Sequence, residues 1–278
     1  MEEANLGLFF NPRTIAIIGA SDHADKVGGI LMQKTLKSKC KIIPVNPSHD
    51  MLFGLKCYKS LLDYNEKEKI DLAVIAIPAA FVLKSLEECG KKGIKNVIIV
   101  SAGFSEVGKV EDEKKILEVV KKYGIRVIGP NCFGIFNAGN NLDLTFAITT
   151  PKKVNNNNRV VFISQSGALW SFISDYFNEK VNLNSFVGLG NMADLEFNDF
   201  IEHFACDKNT SSIILYIEKL KDGRRFIDVC RKAAEKGKKI YAVKAGSSEK
   251  GAAAAFSHTA SLASDYLIYK GGIGRAHV

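Results

Sequence analysis

Short apolar runs alternate with amphipathic segments along the first half of the chain. The apolar runs have the length of buried strands and fall at Thr14–Ile18, Lys41–Val45, Leu72–Ile77, Asn96–Ser101 and Arg126–Ile128. Helical spacing of apolar residues lies between them, most clearly at Ala80–Lys91 and Glu111–Lys122. This alternation predicts an α/β domain with a parallel sheet and right-handed crossovers.

A glycine-rich loop joins the first strand to the first helical pattern, as in a Rossmann-type unit. Gly19 permits a tight turn, and Gly28 or Gly29 lets the backbone approach a phosphate at a helix N-terminus. Ordinary turn chemistry is the alternative explanation for these glycines. The full GxGxxG spacing is missing, and Val45-Asn46-Pro47 stands where an NAD-binding domain usually carries an acidic residue. We therefore expect a nucleotide-like ligand other than NAD.

Several strands of the first half end in loops suited to ligand contact. These loops are Ile77-Pro78-Ala79, Ser101-Ala102-Gly103-Phe104 and Gly129-Pro130-Asn131-Cys132. Because the carboxyl ends of parallel strands meet at one sheet edge, the loops are expected to form a binding crevice.

A second strand–helix series follows an asparagine tract at residues 155–158, which indicates a linker. We expect domains at residues 1–133 and 159–278, joined by residues 134–158. Strands of the second domain are predicted at Arg159–Ile163, Phe186–Gly188, Ser212–Ile217 and Lys239–Val243. A fifth strand is expected but does not follow, and the residues after His258 are interpreted as a truncation or a cloning scar.

His258 lies among small residues just after the last predicted strand, with room for a phosphoryl group. Glu218 ends an apolar strand, so both residues are expected at the same sheet edge. A carboxylate there can hold one imidazole nitrogen as N–H and leave the other as a nucleophile. Ser164 and Ser166 precede a predicted helix and form a candidate oxyanion cradle. The alternatives are a surface histidine, a solvated strand end and an ordinary serine N-cap.

Composition narrows the class of protein. The chain has 278 residues, of which 46% are hydrophobic and 24% charged, as in a globular protein with two domains. The net charge of +8 comes from scattered lysine pairs, so solvated faces explain it best, a polyanionic small ligand second and nucleic acid third. The six cysteines form no CxxC pair, and no signal peptide or apolar span is evident, so we expect a cytoplasmic protein without a metal site.

Ordered motifs in both halves resemble the nucleotide-forming acyl-CoA synthetases. This superfamily includes the succinyl-CoA synthetase α subunit and the ADP-forming acetyl-CoA synthetases, and the pattern is most similar to the latter. The first-half motifs are Gly19-Ala20-Ser21, Val45-Asn46-Pro47, Ile77-Pro78, Ser101-Ala102-Gly103-Phe104 and Gly129-Pro130-Asn131-Cys132. The second-half motifs are Ser164-Gln165-Ser166-Gly167, Gly190-Asn191-Met192-Ala193-Asp194, Tyr216-Ile217-Glu218 and the stretch from Ser257 to Ala263.

The resemblance implies a Rossmann-type CoA-binding domain followed by a flavodoxin-like domain that is incomplete at its C-terminus. It implies that His258 carries the phosphoryl group, that Glu218 stabilises it, and that Ser164, Gln165, Ser166 and Gly167 bind phosphate. It assigns CoA binding to Gly19, Ala20, Ser21, Lys26, Val27, Asn46, Ile77, Pro78, Ser101, Ala102, Gly103 and Asn131. Lys219 departs from the pattern, because glycine is common there.

The resemblance further implies the reversible conversion of acyl-CoA, ADP and phosphate into a carboxylic acid, CoA and ATP, with acetyl as the expected acyl group and branched or aryl acids as the alternatives. No P-loop is present, so ADP and Mg²⁺ are expected on a nucleotide-grasping β subunit or fused domain, in a hetero-oligomer. The alternatives are a non-catalytic CoA-sensing regulatory module, which has no reason to retain both His258 and Glu218, and an NAD-linked oxidoreductase, which the second strand disfavours.

Overall fold

The first half of the chain folds around a five-stranded parallel sheet. A computed structural model describes residues 5–147, 159–171, 174, 181 and 183–245. The strands of the first half are β1 Thr14–Ile18, β2 Lys41–Val45, β3 Met51–Leu52, β4 Leu55–Lys56, β5 Leu72–Ile75, β6 Asn96–Ile99 and β7 Arg126–Ile128. Five of them form the sheet in the order β2-β1-β5-β6-β7, and β3 pairs with β4 in a separate hairpin.

Helices cover this sheet. They are α1 Gly7–Phe10, α2 Val27–Thr35, α3 Ala79–Lys91 and α4 Val110–Tyr123, with 3-10 turns at Leu61–Asp63 and Ser105–Val107. Helix α4 shows how local sequence sets the bounds: acidic residues fill its first turn and Lys121 and Lys122 its last, which complements the helix dipole. It ends at Gly124, whose φ of 62° gives the left-handed C-cap that glycine favours.

The second half forms a mixed six-stranded sheet. Its strands are β8 Gly134–Asn137, β9 Leu142–Asp143, β10 Val160–Ser164, β11 Leu183–Gly188, β12 Ser212–Ile217 and β13 Lys239–Lys244. They lie in the order β13-β12-β10-β11-β8-β9. The first four in this order are mutually parallel, whereas β8 runs antiparallel to β11. Helices α5 Phe197–Cys206 and α6 Gly223–Glu235 belong to this half, and a helical turn begins at residue 167.

The α/β fold class with two sheets is confirmed. The expected connecting segment, residues 134–158, begins with two strands that extend the second sheet, a pairing that the sequence pattern did not indicate. The division of the chain at residues 133 and 158 stays a prediction. The chain after residue 245, in which the sequence pattern showed no fifth strand, lies beyond the described residues.

A single buried cluster extends through both halves, so the two sheets share apolar packing. It includes Ile15 and Val74 from the first sheet and Ile163, Val187 and Leu215 from the second, all fully shielded from solvent. No helix within the part of the chain that the structure describes has the length and apolar character needed to cross a membrane.

A buried ion pair also joins the halves. Lys34 Nζ in α2 lies 2.9 Å from Asp143 Oδ2 in β9 and donates to Thr145 Oγ1 at 3.2 Å. Asp143 Oδ1 in turn accepts hydrogen bonds from the Thr145 amide and hydroxyl at 2.9 and 2.7 Å. Both charged side chains are less than a tenth exposed. Loss of either residue therefore removes the opposite charge that faces its partner in the interior.

We expect Asp143→Ala to lower the free energy of unfolding by about 3–5 kcal/mol, because it removes the carboxylate that neutralises the buried Lys34 ammonium. The measurement is urea denaturation followed by circular dichroism. The matched control is Asp50→Ala, which removes an ion pair with Lys59 in which Asp50 is 90% exposed and should change stability little. The double variant Lys34→Met/Asp143→Asn should recover most of the loss, because the asparagine oxygen can still accept from the Thr145 amide and hydroxyl. Equal stability of Asp143→Ala and the wild type would contradict the assignment.

A second buried carboxylate, Glu196, lacks full hydrogen bonding. Asn198 Nδ2 donates to Glu196 Oε1 at 2.8 Å, but Glu196 Oε2 and Asn198 Oδ1 have no partner among the described residues. Burial raises the pKa of Glu196 above its ordinary value, and the Arg225 guanidinium 3.9 Å away opposes this only in part. The folded protein therefore holds the Glu196 proton more tightly than the unfolded chain does. This contribution to the stability of the fold is lost as the pH rises through the folded-state pKa.

We expect Glu196→Gln to stabilise the protein near neutral pH, since an amide carries no charge and supplies a donor in place of an unpaired oxygen. The gain should shrink as the pH falls toward about 3, which lies below the ordinary Glu pKa of about 4.3, so that the carboxyl is neutral in both states. Urea midpoints measured between about pH 3 and pH 8 test this. A gain that is the same at every pH would show that ionisation of Glu196 is not its source.

Candidate functional site

The carboxyl ends of both sheets open onto one cavity of about 950 Å³. Predicted residues from both halves line it together, as the convergence of strand ends requires. From the first half these are Val27, Ile77, Pro78, Ser101, Ala102 and Asn131, and from the second Gln165, Ser166, Gly167 and Glu218. The other predicted residues that the structure describes lie outside the cavity lining. They are Gly19, Ala20, Ser21, Lys26, Asn46, Gly103 and Ser164.

The backbone of the glycine loop after β1 packs directly against the backbone of the first turn of α2. Gly19 has a φ of +92°, which favours glycine, and a Cβ on Gly28 would lie 1.9 Å from the Gly19 carbonyl oxygen. Asn46 Nδ2 donates to the Ala20 carbonyl at 2.7 Å, so Asn46 holds the loop from the neighbouring strand. Lys26 is the N-cap of α2 and directly precedes Val27 on the cavity wall. The glycines here are required for close approach of the loop and the helix.

Two further loops of the first half are tied together by Ser101. Its hydroxyl donates to the Ile77 carbonyl at 2.5 Å and accepts from the Ile77 amide at 3.1 Å. The next loop turns at Gly103, which has a φ of +109° and donates its amide to Glu106 Oε1. Ser101 thus fixes the positions of Ile77 and Pro78 at the cavity.

Cys132 also lines the cavity, but its thiol is not available as a nucleophile. The thiol donates to the Ile99 carbonyl at 3.2 Å, and burial raises the pKa of Cys132 to about 12. Only a thiolate attacks efficiently, so the residue is structural.

The loop after β10 is shaped by the predicted phosphate-binding residues themselves. Ser164 is fully buried, and its hydroxyl donates to the Ser166 carbonyl at 2.8 Å and accepts from the Ser166 amide at 3.1 Å. Ser166 Oγ accepts from the Leu169 amide at 3.3 Å, as an N-cap does. The Ser164 hydroxyl therefore closes the turn, whereas Ser166 and Gly167 face the cavity.

Gln165 connects this loop to Glu218. Its Oε1 accepts hydrogen bonds from the amides of Glu218 and Lys219 at 2.7 and 2.8 Å. Glu218 itself is 8% exposed and lies in the cavity wall. Burial lowers the pKa of the nearby Lys244, and the negative charge of Glu218 opposes that shift. The sequence placed Glu218 and the Ser164–Gly167 loop at one sheet edge, and the structure brings them into contact.

His258, the predicted phosphoryl carrier, lies outside the described residues. The roles of the individual site residues therefore stay predictions.

A segment of the second half, residues 190–195, completes the site by docking on the first sheet. The amides of Asn191, Ala193 and Leu195 donate to the carbonyls of Pro130, Gly129 and Val127 at 2.9, 2.9 and 3.1 Å. Asp194 Oδ2 accepts from the Val127 amide at 2.8 Å and from Arg126 Nε at 3.0 Å. The sequence identified the Gly190–Asp194 motif, but it did not indicate that this motif docks on the first sheet.

Asn191 and Lys221 are cavity residues that sequence reasoning did not assign. Asn191 Nδ2 lies 2.6 Å from Glu106 Oε2 and 2.9 Å from Glu113 Oε2. Although burial raises the pKa of Glu106, hydrogen bonds from Asn191 and from the Gly103 and Phe104 amides lower it overall. Lys221 donates to the carbonyls of Met192 and Ala193, and burial lowers its pKa. The sequence signal for Asn191 was its place in the Gly190–Asp194 motif, and for Lys221 it was proximity to Glu218.

Two family models match the chain in tandem. A CoA binding domain matches residues 13–138, and a succinyl-CoA ligase like flavodoxin domain matches residues 157–278. Together they cover every strand of both sheets except β9.

Whole-chain similarity agrees with these domains. The chain is 47% identical over 268 residues to an ADP-forming acetate–CoA ligase of Methanocaldococcus jannaschii, covering 96% of this chain and 37% of the relative. It is 45% identical over 278 residues to the α subunit of ADP-forming acetate–CoA ligase II of Pyrococcus furiosus, covering 98% of this chain and 59% of the relative.

A solved structure has the same architecture. It is the dinucleotide forming acetyl-coenzyme A synthetase 1 of Ca. Korarchaeum cryptofilum in complex with phosphate and ADP, with a TM-score of 0.89 and 39% identity. The match covers 97% of this chain and 57% of that chain. The chain thus spans between about two fifths and three fifths of the length of these relatives. By its two domains and their relatives, the chain belongs to the nucleotide-forming acyl-CoA synthetases, of the ADP-forming acetyl-CoA synthetase type.

Proposed function

We propose that this chain supplies the CoA-binding and phosphohistidine domains of an ADP-forming acyl-CoA synthetase. The overall reaction is the reversible conversion of acyl-CoA, ADP and phosphate into a carboxylic acid, CoA and ATP. The observation that carries the proposal is the shared cavity, which joins the predicted CoA-binding loops of one sheet to the predicted phosphate loop and Glu218 of the other. A thioester held by the first half would thereby meet phosphate held by the second.

In the first step, inorganic phosphate attacks the thioester carbonyl, which gives an acyl phosphate and releases CoA as the thiol. Amides at the start of the helix at residue 167, together with Ser166, are suited to hold the phosphate oxygens, because the first N–H groups of a helix lack partners within it. Gln165 keeps this loop against the Glu218 strand end. Aligned N–H donors stabilise the negative charge that develops in the transition state.

In the second step, a ring nitrogen of His258 attacks the phosphorus of the acyl phosphate and the carboxylate leaves. Neutral imidazole is nucleophilic near pH 7, and the N–P bond stays reactive enough to pass the group on. Glu218 accepts the N–H of the other ring nitrogen and stabilises the positive charge that forms there. The phosphoryl group then passes to ADP.

ADP and Mg²⁺ belong to a partner in this proposal, either a nucleotide-grasping β subunit or a fused domain in a hetero-oligomer. Two observations support a partner: the Pyrococcus furiosus relative is named as an α subunit, and this chain spans 59% of that relative's length. Acetyl is the proposed acyl group and the cytoplasm the proposed location. No finding favours the CoA-sensing alternative.

The CoA site is tested by Gly28→Ala. We expect at least a tenfold loss of CoA affinity by isothermal titration calorimetry, a change of about 1.4 kcal/mol, because a Cβ 1.9 Å from the Gly19 carbonyl must push the loop from α2. Gly7→Ala is the matched control, since Gly7 lies in helix α1, its Cβ would meet only the end of the Asn5 side chain, and the residue is absent from the cavity lining. Equal CoA affinity in Gly28→Ala and the control would contradict a CoA site at this loop.

The phosphoryl carrier is tested with acetyl-CoA and ³²P-phosphate, with and without a nucleotide-grasping partner subunit. We expect acid-labile, alkali-stable label on the chain that is lost in His258→Ala and kept in the control His49→Ala. Glu218→Gln should slow labelling by on the order of 10-fold to 100-fold, the usual effect of losing a carboxylate that orients a histidine. CoA binding without label under any partner condition would instead support the CoA-sensing module.

A further inference from the structure

Two phenylalanines form an aromatic wall where the two halves of the cavity meet. Phe133 follows the Asn131-Cys132 turn that leads from the first sheet into β8, and Phe146 follows β9. Their ring centroids are 4.0 Å apart at an interplanar angle of 43°, and both residues line the cavity. Neither belongs to the predicted CoA-binding or phosphate-binding residues.

Phe133 is held in place by glycines of the second sheet. A Cβ on Gly167 would lie 2.5 Å from the Phe133 ring, and a Cβ on Gly188 would lie 2.9 Å from the Phe133 Cβ. Because both positions lack a side chain, Phe133 packs directly on the end of the phosphate loop at Gly167 and on the end of β11 at Gly188. Phe133 is only 9% exposed. Phe146 is less buried than Phe133 and packs against it, so it forms the more open part of the wall.

The position of this wall matches that of an acyl group. CoA held by Val27, Ile77, Pro78 and Ser101 must extend its thioester toward Ser166 and Gly167 for phosphate to reach the carbonyl. Phe133 lies at that junction, since it contacts Gly167 and is two residues from Asn131 in the first-half lining. The group on the far side of the thioester carbonyl then lies against the two rings.

We propose that Phe133 and Phe146 close the acyl end of the cavity and restrict the substrate to compact, apolar acyl groups such as acetyl. This inference rests on the proposed function and names its substrate class. The rings offer apolar contact to a short alkyl chain, and their bulk excludes a branched or aryl group. An apolar void of about 150 Å³ is enough to admit benzene, so loss of one ring opens space on the scale of an aryl substituent.

The test compares the affinities of CoA, acetyl-CoA and phenylacetyl-CoA for the full chain by isothermal titration calorimetry. In the wild type, phenylacetyl-CoA should bind more weakly than acetyl-CoA. In Phe146→Ala the ratio of phenylacetyl-CoA to acetyl-CoA affinity should rise at least about tenfold, the scale on which apolar pockets discriminate by size. Phe81→Ala is the matched control, because Phe81 is 60% exposed and lies outside the lining.

Unmodified CoA serves as the internal standard, since its affinity should be the same in all variants. If Phe146→Ala loses CoA affinity through misfolding, Phe146→Leu replaces it and should shift the ratio in the same direction by a smaller factor. A ratio unchanged by either substitution, or a wild type that binds both acyl-CoAs equally, overturns the acyl wall while leaving the CoA site intact. Failure of the wild type to bind CoA at all would overturn the proposed function itself.

Discussion

The backbone contact between the Gly129–Asn131 turn and residues 190–195 is the constraint on which the site depends. A turn segment of the second half binds the edge of the first sheet through three amide-to-carbonyl hydrogen bonds and through the Asp194 carboxylate, which accepts from Arg126. This approach requires glycine at position 190, where φ is +60° and a Cβ would lie 2.4 Å from the Pro130 and Asn131 carbonyl oxygens. The contact brings the carboxyl ends of two independent sheets to one cavity, which neither sheet encloses alone.

The polar residues at this junction divide into those that shape loops and those that face the cavity. Three side chains donate hydrogen bonds to nearby backbone carbonyls: the hydroxyls of Ser101 and Ser164 and the side-chain amide of Asn46. A buried hydroxyl without such a partner would be costly, which is why these groups close turns. Ser166, Gly167 and Glu218 remain exposed to the cavity beside the first-half loops. A motif shared within the family therefore contains both scaffold and contact residues, and its sequence does not distinguish them.

Much of the architecture follows from local patterns. Strands β1, β2, β7 and β12 have the predicted bounds, and helices α3 and α4 differ from prediction by one residue at their ends. Continuous apolar runs mark strands buried on both faces, and helical spacing marks the segments that cover them. Strands β8 and β9 were missed because they are short, with β8 pairing antiparallel to the distant β11 and β9 pairing antiparallel to β8.

By itself the sequence determined the order of strands and helices, the glycine turns, the family and the residue types of the candidate site, because these depend on local spacing and residue chemistry. Only the tertiary structure decided which of those residues share a cavity, since this depends on how the sheets dock. It placed Lys34 on Asp143 and Asn191 on Glu106, pairs that lie 109 and 85 positions apart along the chain. It also set Phe133 on Gly167, a contact made through space between two loops that no local pattern connects.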